Sequence, residues 1–308
     1  MRAIVMGDPA YFRIKSGSNP HTRNRWGFRK KVQPEIARCQ WKRLLDQFRD
    51  LGIHVFVVPS VKEHPGMVFT ANAGVVIDRD AAKPFSQKIF LMSTLTPGRS
   101  GEESYYQEFF ERLGFQIQRA PYRFEGEADF FPAGAFSIFT HGQIVRQHFK
   151  FNWGLPPYRR VYGFRTDEKI IEILSGLAHL KIILSLELVD ERFYHGDTVC
   201  CSFGPNRSFL MVYLPALSTK SQELLRDSFR DQLIPLSSED AFRFAANSFF
   251  LETEEGSMMF MPAGISERLK SEVKERGVTP IEVDVSEFLE KGGGSIKCML
   301  LDMGPVVR

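Results

Sequence analysis

The strongest candidate nucleophile in this chain of 308 residues is Cys298, which follows Gly292-Gly293-Gly294-Ser295. A glycine run lets backbone N–H groups approach a ligand closely, as in an anion- or oxyanion-binding turn, and a thiol beside it can be activated. Taken alone, a cysteine is more often a small buried hydrophobe and such a run a flexible turn. The run is not a P-loop, because Lys297 does not complete a G-x-x-x-x-G-K-[ST] frame. His195 and Asp197 are two residues apart, so on a strand they would share a face, with the carboxylate stabilising an imidazolium or helping to hold a substrate. Glu125, Glu127 and Asp129 alternate in the same way between Phe124 and Phe130. Burying all three as anions would be very costly, so this strand is either a solvated edge or the seat of a cation, and an organic cation satisfies the electrostatics as well as a metal. Cys39, Cys200, Cys201 and Cys298 have neither the C-x-x-C spacing of a zinc site nor the density of a disulfide scaffold, and a reducing intracellular setting fits best.

Elements at regular intervals would have to position these groups. Helix periodicity falls on Pro34 to Leu51, Gly101 to Leu113, Thr166 to Ala178, Ser218 to Asp231 and Ile265 to Arg276. Three of these segments end at a glycine suited to a left-handed cap, Gly52, Gly114 and Gly277, and strand-like residues follow at once: IHVFVV, FQIQRA and VTPIEV. The other two continue as KIILSL and QLIPL. Each helix-then-strand unit is followed by a second, more polar stretch, FTANAGVVI, FEGEADFF, YHGDTVCCSF, FAANSFF or GGGSIKCMLL. These carry Asn72, Glu125, His195, Asn247 and Cys298. Burying such a group costs a few kcal/mol unless it is satisfied. A fivefold recurrence therefore points to a shared pocket in a cyclic array, against the alternative of an ordinary α+β domain with polar residues scattered among its strands.

Composition agrees with a folded globular protein. Lys plus Arg is 40 and Asp plus Glu 37, a formal charge of +3, which implies no polyanion partner. The 28 phenylalanines argue for an aromatic core and against disorder. The basic segment RNRWGFRKK (23–31), interleaved with Trp26 and Phe28, reads as a solvated loop or lid; no nucleic-acid-binding motif follows it, and no nucleic-acid partner is expected. No signal peptide and no apolar run of membrane-spanning length is present, so no membrane partner is expected and the predicted location is cytoplasmic. No linker or composition break divides residues 1–308, which are read as a single catalytic domain.

Taken together, PGMVFTANAG (65–74), FEGEADFF (124–131), GFRTDEKIIE (163–172), FYHGDTVC (193–200) and GGGSIKCM (292–299) resemble the guanidino-group-modifying superfamily of arginine deiminases, dimethylargininases and amidinotransferases. The resemblance spans nearly the whole chain in the right order. It implies an α/β fold, a pseudo-fivefold α/β propeller of ββαβ units around a central polar pocket, in keeping with the five units above. The F-T-A-N-A-G stretch resembles the arginine dihydrolase subgroup, where Asn stands at the position that deiminases fill with Asp. By this resemblance Cys298 is the nucleophile, His195 the general acid and base, and Glu125 the carboxylate paired with guanidinium and histidine. Asp129 and Asp197 are further substrate carboxylates, Asn72 contacts the reacting group, and Arg165 is a candidate for the substrate carboxylate.

The implied substrate is a small guanidino compound, arginine or a derivative. The implied reaction is cysteine-dependent hydrolysis to ornithine, carbon dioxide and ammonia, which needs no metal and no organic cofactor. The alternatives are a deiminase or dimethylargininase stopping at citrulline, an amidinotransferase, or, outside catalysis, a binding propeller such as the ribosome anti-association initiation factors. Whether Glu125 or Glu127 is the key carboxylate stays open at this stage, as does assembly into a homo-oligomer.

Overall fold

In the computed structural model, which describes residues 2–15, 19–151, 153, 157–177, 182–253 and 256–306, all five expected helices form. The chain runs β1 (Arg2–Gly7), α1 (Pro34–Asp50), β2 (His54–Val58), β3 (Gly74–Val76), β4 (Ile89–Met92), α2 (Glu103–Arg112) and β5 (Gln116–Arg119). It continues through β6 (Phe130–Ala133), β7 (Phe136–His141), β8 (His148–Phe151), β9 (Tyr158–Val161), α3 (Ile170–Leu177) and β10 (Ile182–Glu187). Then come β11 (Cys200–Phe203), β12 (Phe209–Val212), α4 (Thr219–Phe229), β13 (Leu233–Pro235) and α5 (Ser238–Phe242). The last elements are β14 (Phe249–Thr253), β15 (Gly256–Pro262), α6 (Glu267–Glu275), β16 (Val278–Val283) and β17 (Leu300–Pro305).

The helix ends follow local chemistry. Pro34 opens α1, where its missing N–H costs nothing, while Ser218 and Ser266 cap α4 and α6 by accepting from Ser221 N and Leu269 N. The glycine that follows each of α1, α2 and α6 takes the expected left-handed conformation. Helix α3 starts later than the pattern suggested, because residues 167–169 form the turn that precedes it; Ala178 and Lys181, also included in the expectation, lie outside the described residues.

Five three-stranded sheets share one plan. In each, a first strand pairs antiparallel with a central strand, and the central strand pairs parallel with a third through a helical crossover. Four sheets are built from consecutive segments: β3-β4-β5, β6-β7-β10, β11-β12-β13 and β14-β15-β16. The fifth joins the two ends of the chain, with β17 laid antiparallel to β1 in the register Val5↔Leu301 and β1 parallel to β2. The result is an α/β fold. Between helices and sheets the phenylalanines interlock: Phe90 stacks on Phe110 at 3.8 Å between ring centres, and Phe48 meets Phe260 at 4.7 Å. Each such ring contributes about 1.5–3 kcal/mol by burial.

Two features depart from the expected pattern. The polar stretches are not strands along their whole length: four of them begin as a 3-10 turn, Thr70–Asn72, Gly126–Ala128, Gly196–Thr198 or Lys297–Met299, which then enters β3, β6, β11 or β17. The exposed β8–β9 hairpin, inserted between β7 and α3, carried no sequence signal. Segment 23–31 does form a surface turn, with Trp26 and Phe28 mostly exposed. Among the described residues no helix is long and apolar enough to cross a membrane.

Candidate active site

The turns preceding the first strands converge on one cavity of about 100 Å³, lined among others by Asn72, Arg99, Glu125, Arg165, His195 and Cys298. The turn geometry corrects the alternation read from the sequence. Successive residues of a 3-10 turn point about 120° apart, so neighbours expected on one face diverge. His195 Nε2 meets Glu125 Oε2 at 2.8 Å, whereas Asp197 Oδ2 accepts from Cys298 Sγ at 3.3 Å.

The three carboxylates of FEGEAD separate likewise, and each is buried. Glu125 faces the cavity. Glu127 Oε2 turns away to accept from Lys297 Nζ at 2.9 Å and Asp302 N at 2.8 Å, which removes it as a rival to Glu125. Asp129 is also not on the cavity wall, contrary to its expected role as a substrate carboxylate. Its oxygens accept from Thr140 Oγ1 and Thr166 Oγ1, both at 2.6 Å, and from Gly196 N at 2.9 Å. Asp129 is therefore a strut that fixes the His195 turn. Gly196 is required there, since a Cβ would lie 2.3 Å from Thr140 Oγ1. Asp197 stands behind Cys298, in contact with the thiol but off the cavity wall.

Cys298 is clamped by Asn247, the polar residue of the fourth recurring stretch. Asn247 Nδ2 donates to Cys298 Sγ at 3.1 Å, and its Oδ1 accepts from Cys298 N at 3.1 Å and Ser295 N at 2.9 Å. In the glycine run Gly293 N bonds Leu289 O and Ser295 N is held by Asn247, so neither of these N–H groups is open to an oxyanion. Its small residues let the loop pack against Phe69, whose ring lies 2.7 Å from where a Cβ on Gly292 or Gly294 would sit.

Arg99 is a site residue that sequence reasoning missed, since a lone arginine in TPGRSG carries no pattern. Its Nη1 donates to Asn72 Oδ1 at 2.8 Å and lies 3.7 Å from Glu125 Oε2, while Nε and Nη2 grip Glu102. Arg165, expected near a substrate carboxylate, is buried on the cavity wall; its guanidinium lies 5.2 Å from the centre of the Tyr194 ring, and Nη1 donates to Thr96 Oγ1 at 3.3 Å.

The buried polar atoms without a protein partner at this centre include Asn72 Nδ2, Glu125 Oε1, His195 Nδ1 and Asp197 Oδ1. Buried groups of this kind cost about 1–3 kcal/mol each when unsatisfied. The two carboxylate oxygens among them, beside one thiol, suit a planar ligand that carries N–H groups. Burial raises the Glu125 carboxyl pKa, but the His195 hydrogen bond and the charges of His195, Arg165 and Arg99 outweigh it and hold the group well below the usual carboxylate range. Burial lowers the His195 pKa, yet the charge of Asp129 and the bond to Glu125 raise it overall, which favours the imidazolium. Burial pushes Asp197 up to about 6, against the charges of His195 and Lys297. Burial and the Asp197 charge also push the Cys298 thiol well up, so the substrate-free site holds a protonated thiol that donates to Asp197. Among the described residues no set of three or more His, Cys, Asp or Glu side chains is arranged to hold a metal ion.

Comparison with known proteins fits this geometry. Residues 8–304 match the family described as N,N dimethylarginine dimethylhydrolase, eukaryotic. The N(G),N(G)-dimethylarginine dimethylaminohydrolase of Mycobacterium tuberculosis is 29% identical over 306 residues, covering 99% of this chain and 86% of that protein. The bifunctional arginine dihydrolase/ornithine cyclodeaminase AgrE of Nostoc sp. is 30% identical over 87% of this chain, which spans only 33% of that longer relative. Among solved structures, the N-terminal domain of a variant of the arginine dihydrolase ArgZ, covalently bound to a reaction intermediate, superposes with a TM-score of 0.82 at 26% identity, covering 99% of each chain.

Proposed function

The chain belongs to the dimethylarginine dimethylaminohydrolase family, hydrolases acting on guanidino C–N bonds, and from that premise we propose that it hydrolyses arginine twice, to ornithine, carbon dioxide and two ammonia. The observation that carries this reading is the pairing at Asn72. Its Oδ1 accepts from Arg99 while Nδ2 is buried without a protein partner, leaving an amide N–H for a carbonyl oxygen. An aspartate there would set an acceptor against the acceptor of a ureido group. The similarity to arginine dihydrolases over most of the chain supports the same choice.

In this reading residues 1–308 form one catalytic domain, and the five sheets are the blades of a pseudo-fivefold propeller of ββαβ units, each contributing its leading turn to the centre. Glu125 on the cavity wall holds the guanidinium, Asp197, beside the thiol just off that wall, offers its unpaired Oδ1 to the same group, and Arg165 binds the carboxylate of the substrate. Charge-assisted hydrogen bonds of this type contribute roughly 1.5–3 kcal/mol each. The incoming cation lowers the raised Cys298 pKa, so the thiolate forms when the substrate is in place. Sγ attacks the guanidino carbon, His195 protonates the departing nitrogen, and a C–N bond breaks to leave a thiouronium ester on Cys298. His195, now neutral, takes a proton from water, which attacks the same carbon; the C–S bond breaks and a ureido product remains. A second round releases the second ammonia and a carbamate, which loses carbon dioxide to give ornithine. Arginine and two waters thus balance ornithine, carbon dioxide and two ammonia.

A second reading, one-cycle hydrolysis of dimethylarginine to citrulline, is favoured by the family match and the mycobacterial relative. Incubation with arginine, N-methylated arginines, agmatine and succinylarginine, with ammonia, amine and ureido product quantified, separates the two. Two ammonia and one ornithine per arginine are expected; citrulline as the sole product, or turnover of methylated arginine alone, would overturn the first reading.

A further inference from the structure

The side-chain amide of Asn72 is held at one edge only: Oδ1 accepts from Arg99 Nη1 at 2.8 Å, and the buried Nδ2 has no protein partner. Arg99 is itself held firmly. Its Nε reaches both oxygens of Glu102 at 3.1 Å, and Nη2 reaches Glu102 Oε2 at 2.7 Å and Gly66 O at 3.2 Å. Glu102, in the turn that leads into α2, is only 3% exposed and borders the substrate cavity with Arg99. The pair has a fitted seat: a Cβ on Gly66 would lie 2.6 Å from Glu102 Oε1 and 3.3 Å from Arg99 Nε, so a larger residue there would displace the carboxylate. A forked ion pair of this kind fixes the plane of the guanidinium as well as its charge.

An amide can turn by 180° and exchange its oxygen for its nitrogen, and only its partners decide between the two. Here the turned amide would set Nδ2 against a donor of the Arg99 cation. Arg99 therefore decides which edge the cavity meets, and Glu102 decides where Arg99 stands. The edge on offer is a donor. Near it are two carboxylate oxygens without a protein partner, Glu125 Oε1 and Asp197 Oδ1. A ureido group, with C=O on one side and N–H on the other, matches a donor and acceptor set of this kind. A guanidinium carries N–H groups only, so it matches the carboxylates and leaves the amide N–H facing another donor.

We propose that Glu102 is a positioning residue: acting through Arg99, it holds the Asn72 amide with its N–H toward the substrate and so sets the preference of the site for a ureido over a guanidino group. Without this hold the amide is free to present Oδ1 to a guanidinium instead. The consequence for products rests on the two-cycle reading, in which the ureido compound must stay bound for a second attack; the orientation of the amide does not.

The test compares L-citrulline with L-arginine, which share their α-amino and carboxylate groups and differ only at the terminal group. Binding of each to the full chain is followed by calorimetry in a Cys298→Ser background, where turnover is suppressed. Glu102→Gln, close in volume but neutral, should weaken citrulline by at least about fivefold relative to arginine, the size of one lost hydrogen bond. Arg99→Lys, which cannot fork between Glu102 and Asn72, should shift the ratio the same way and serves if Glu102→Gln does not fold. With Asn72→Ala already present, Glu102→Gln should shift the ratio no further. Equal weakening of both ligands in either folded variant, an unchanged ratio, or a shift of the same size beside Asn72→Ala overturns the positioning role. During turnover of arginine with Cys298 intact, Glu102→Gln should release a larger share of product as citrulline than the parent does, and an unchanged share overturns the link to the second cycle. Citrulline as the sole product of the parent would overturn the two-cycle reading, while the binding ratio still decides the role of Glu102.

Discussion

At the residue scale, Cys298, His195 and Glu125 were legible because their chemistry is rare in apolar stretches, and the structure brings all three to one cavity. Asp129 was not, because a sequence cannot tell a carboxylate that faces a ligand from one saturated by two hydroxyls and an N–H. Arg99 was invisible for the opposite reason: only the fold carries it from a surface-like loop to within 3.7 Å of Glu125. Since Glu125 orients His195 through Nε2, the pair should behave as one unit. Glu125→Gln and His195→Ala should each cost several orders of magnitude in kcat, with the double variant little worse than the worse single one; steady-state kinetics on all three would expose an additive result, which would place the two residues in separate roles. Asn72→Asp should shift the product of arginine turnover toward citrulline, with about one ammonia released per arginine, because the new carboxylate repels the ureido oxygen. Unchanged ammonia stoichiometry would remove Asn72 from the choice between one cycle and two.

The elements show why the fivefold recurrence could be read while its local form could not. Helix periodicity and cap glycines are properties of adjacent residues, and they located five of the six described α-helices to within a few positions, missing only the short α5. The polar stretches, by contrast, looked like strands, because their apolar halves are strands; the 3-10 turns at their heads depend on contacts between distant units. Gly126 is an example. At φ +62 it lets the Glu125 turn press on the neighbouring turn, and a Cβ there would lie 2.5 Å from Gly74 O and 2.7 Å from Ala71 O. Gly126→Ala should therefore destabilise the protein by at least about 2 kcal/mol, from left-handed strain and overpacking together, and should lower kcat more than it raises KM, because Glu125 moves with the turn. Denaturant unfolding beside kinetics tests both parts; a variant of parent stability would show that the turn can rearrange freely.

Across the whole molecule, the fifth sheet forms only when β17 returns to β1, a pairing over nearly the full chain length that no local pattern announces. Asp302 lies in that seam and accepts from Arg2, Arg79 and Arg207. Burial raises its pKa, but the charges of Arg2 and Arg79 and the hydrogen bond from Arg2 hold it well below the usual carboxylate range. A group with a depressed folded pKa adds stability that is present above its unfolded value, about 3.9, and lost as pH falls through the folded value. Asp302→Asn should therefore lose about 2–4 kcal/mol near neutral pH and show a flatter decline in stability as pH drops below about 4. Urea unfolding of parent and variant across that range checks the sign, and a parallel decline in both would assign the acid sensitivity to other carboxylates.

The central claim is that the converging turns make Cys298 attack a guanidino carbon. Acid quenching of the enzyme during turnover of L-arginine, followed by mass spectrometry of its peptides, tests this directly. The account predicts a transient adduct on the peptide containing Cys298 and on no peptide containing Cys39, Cys200 or Cys201, with Cys298→Ser forming no adduct and losing at least about a factor of 10³ in turnover. Product formation at the parent rate in Cys298→Ser, or an adduct on another cysteine that forms and decays with turnover, would contradict it.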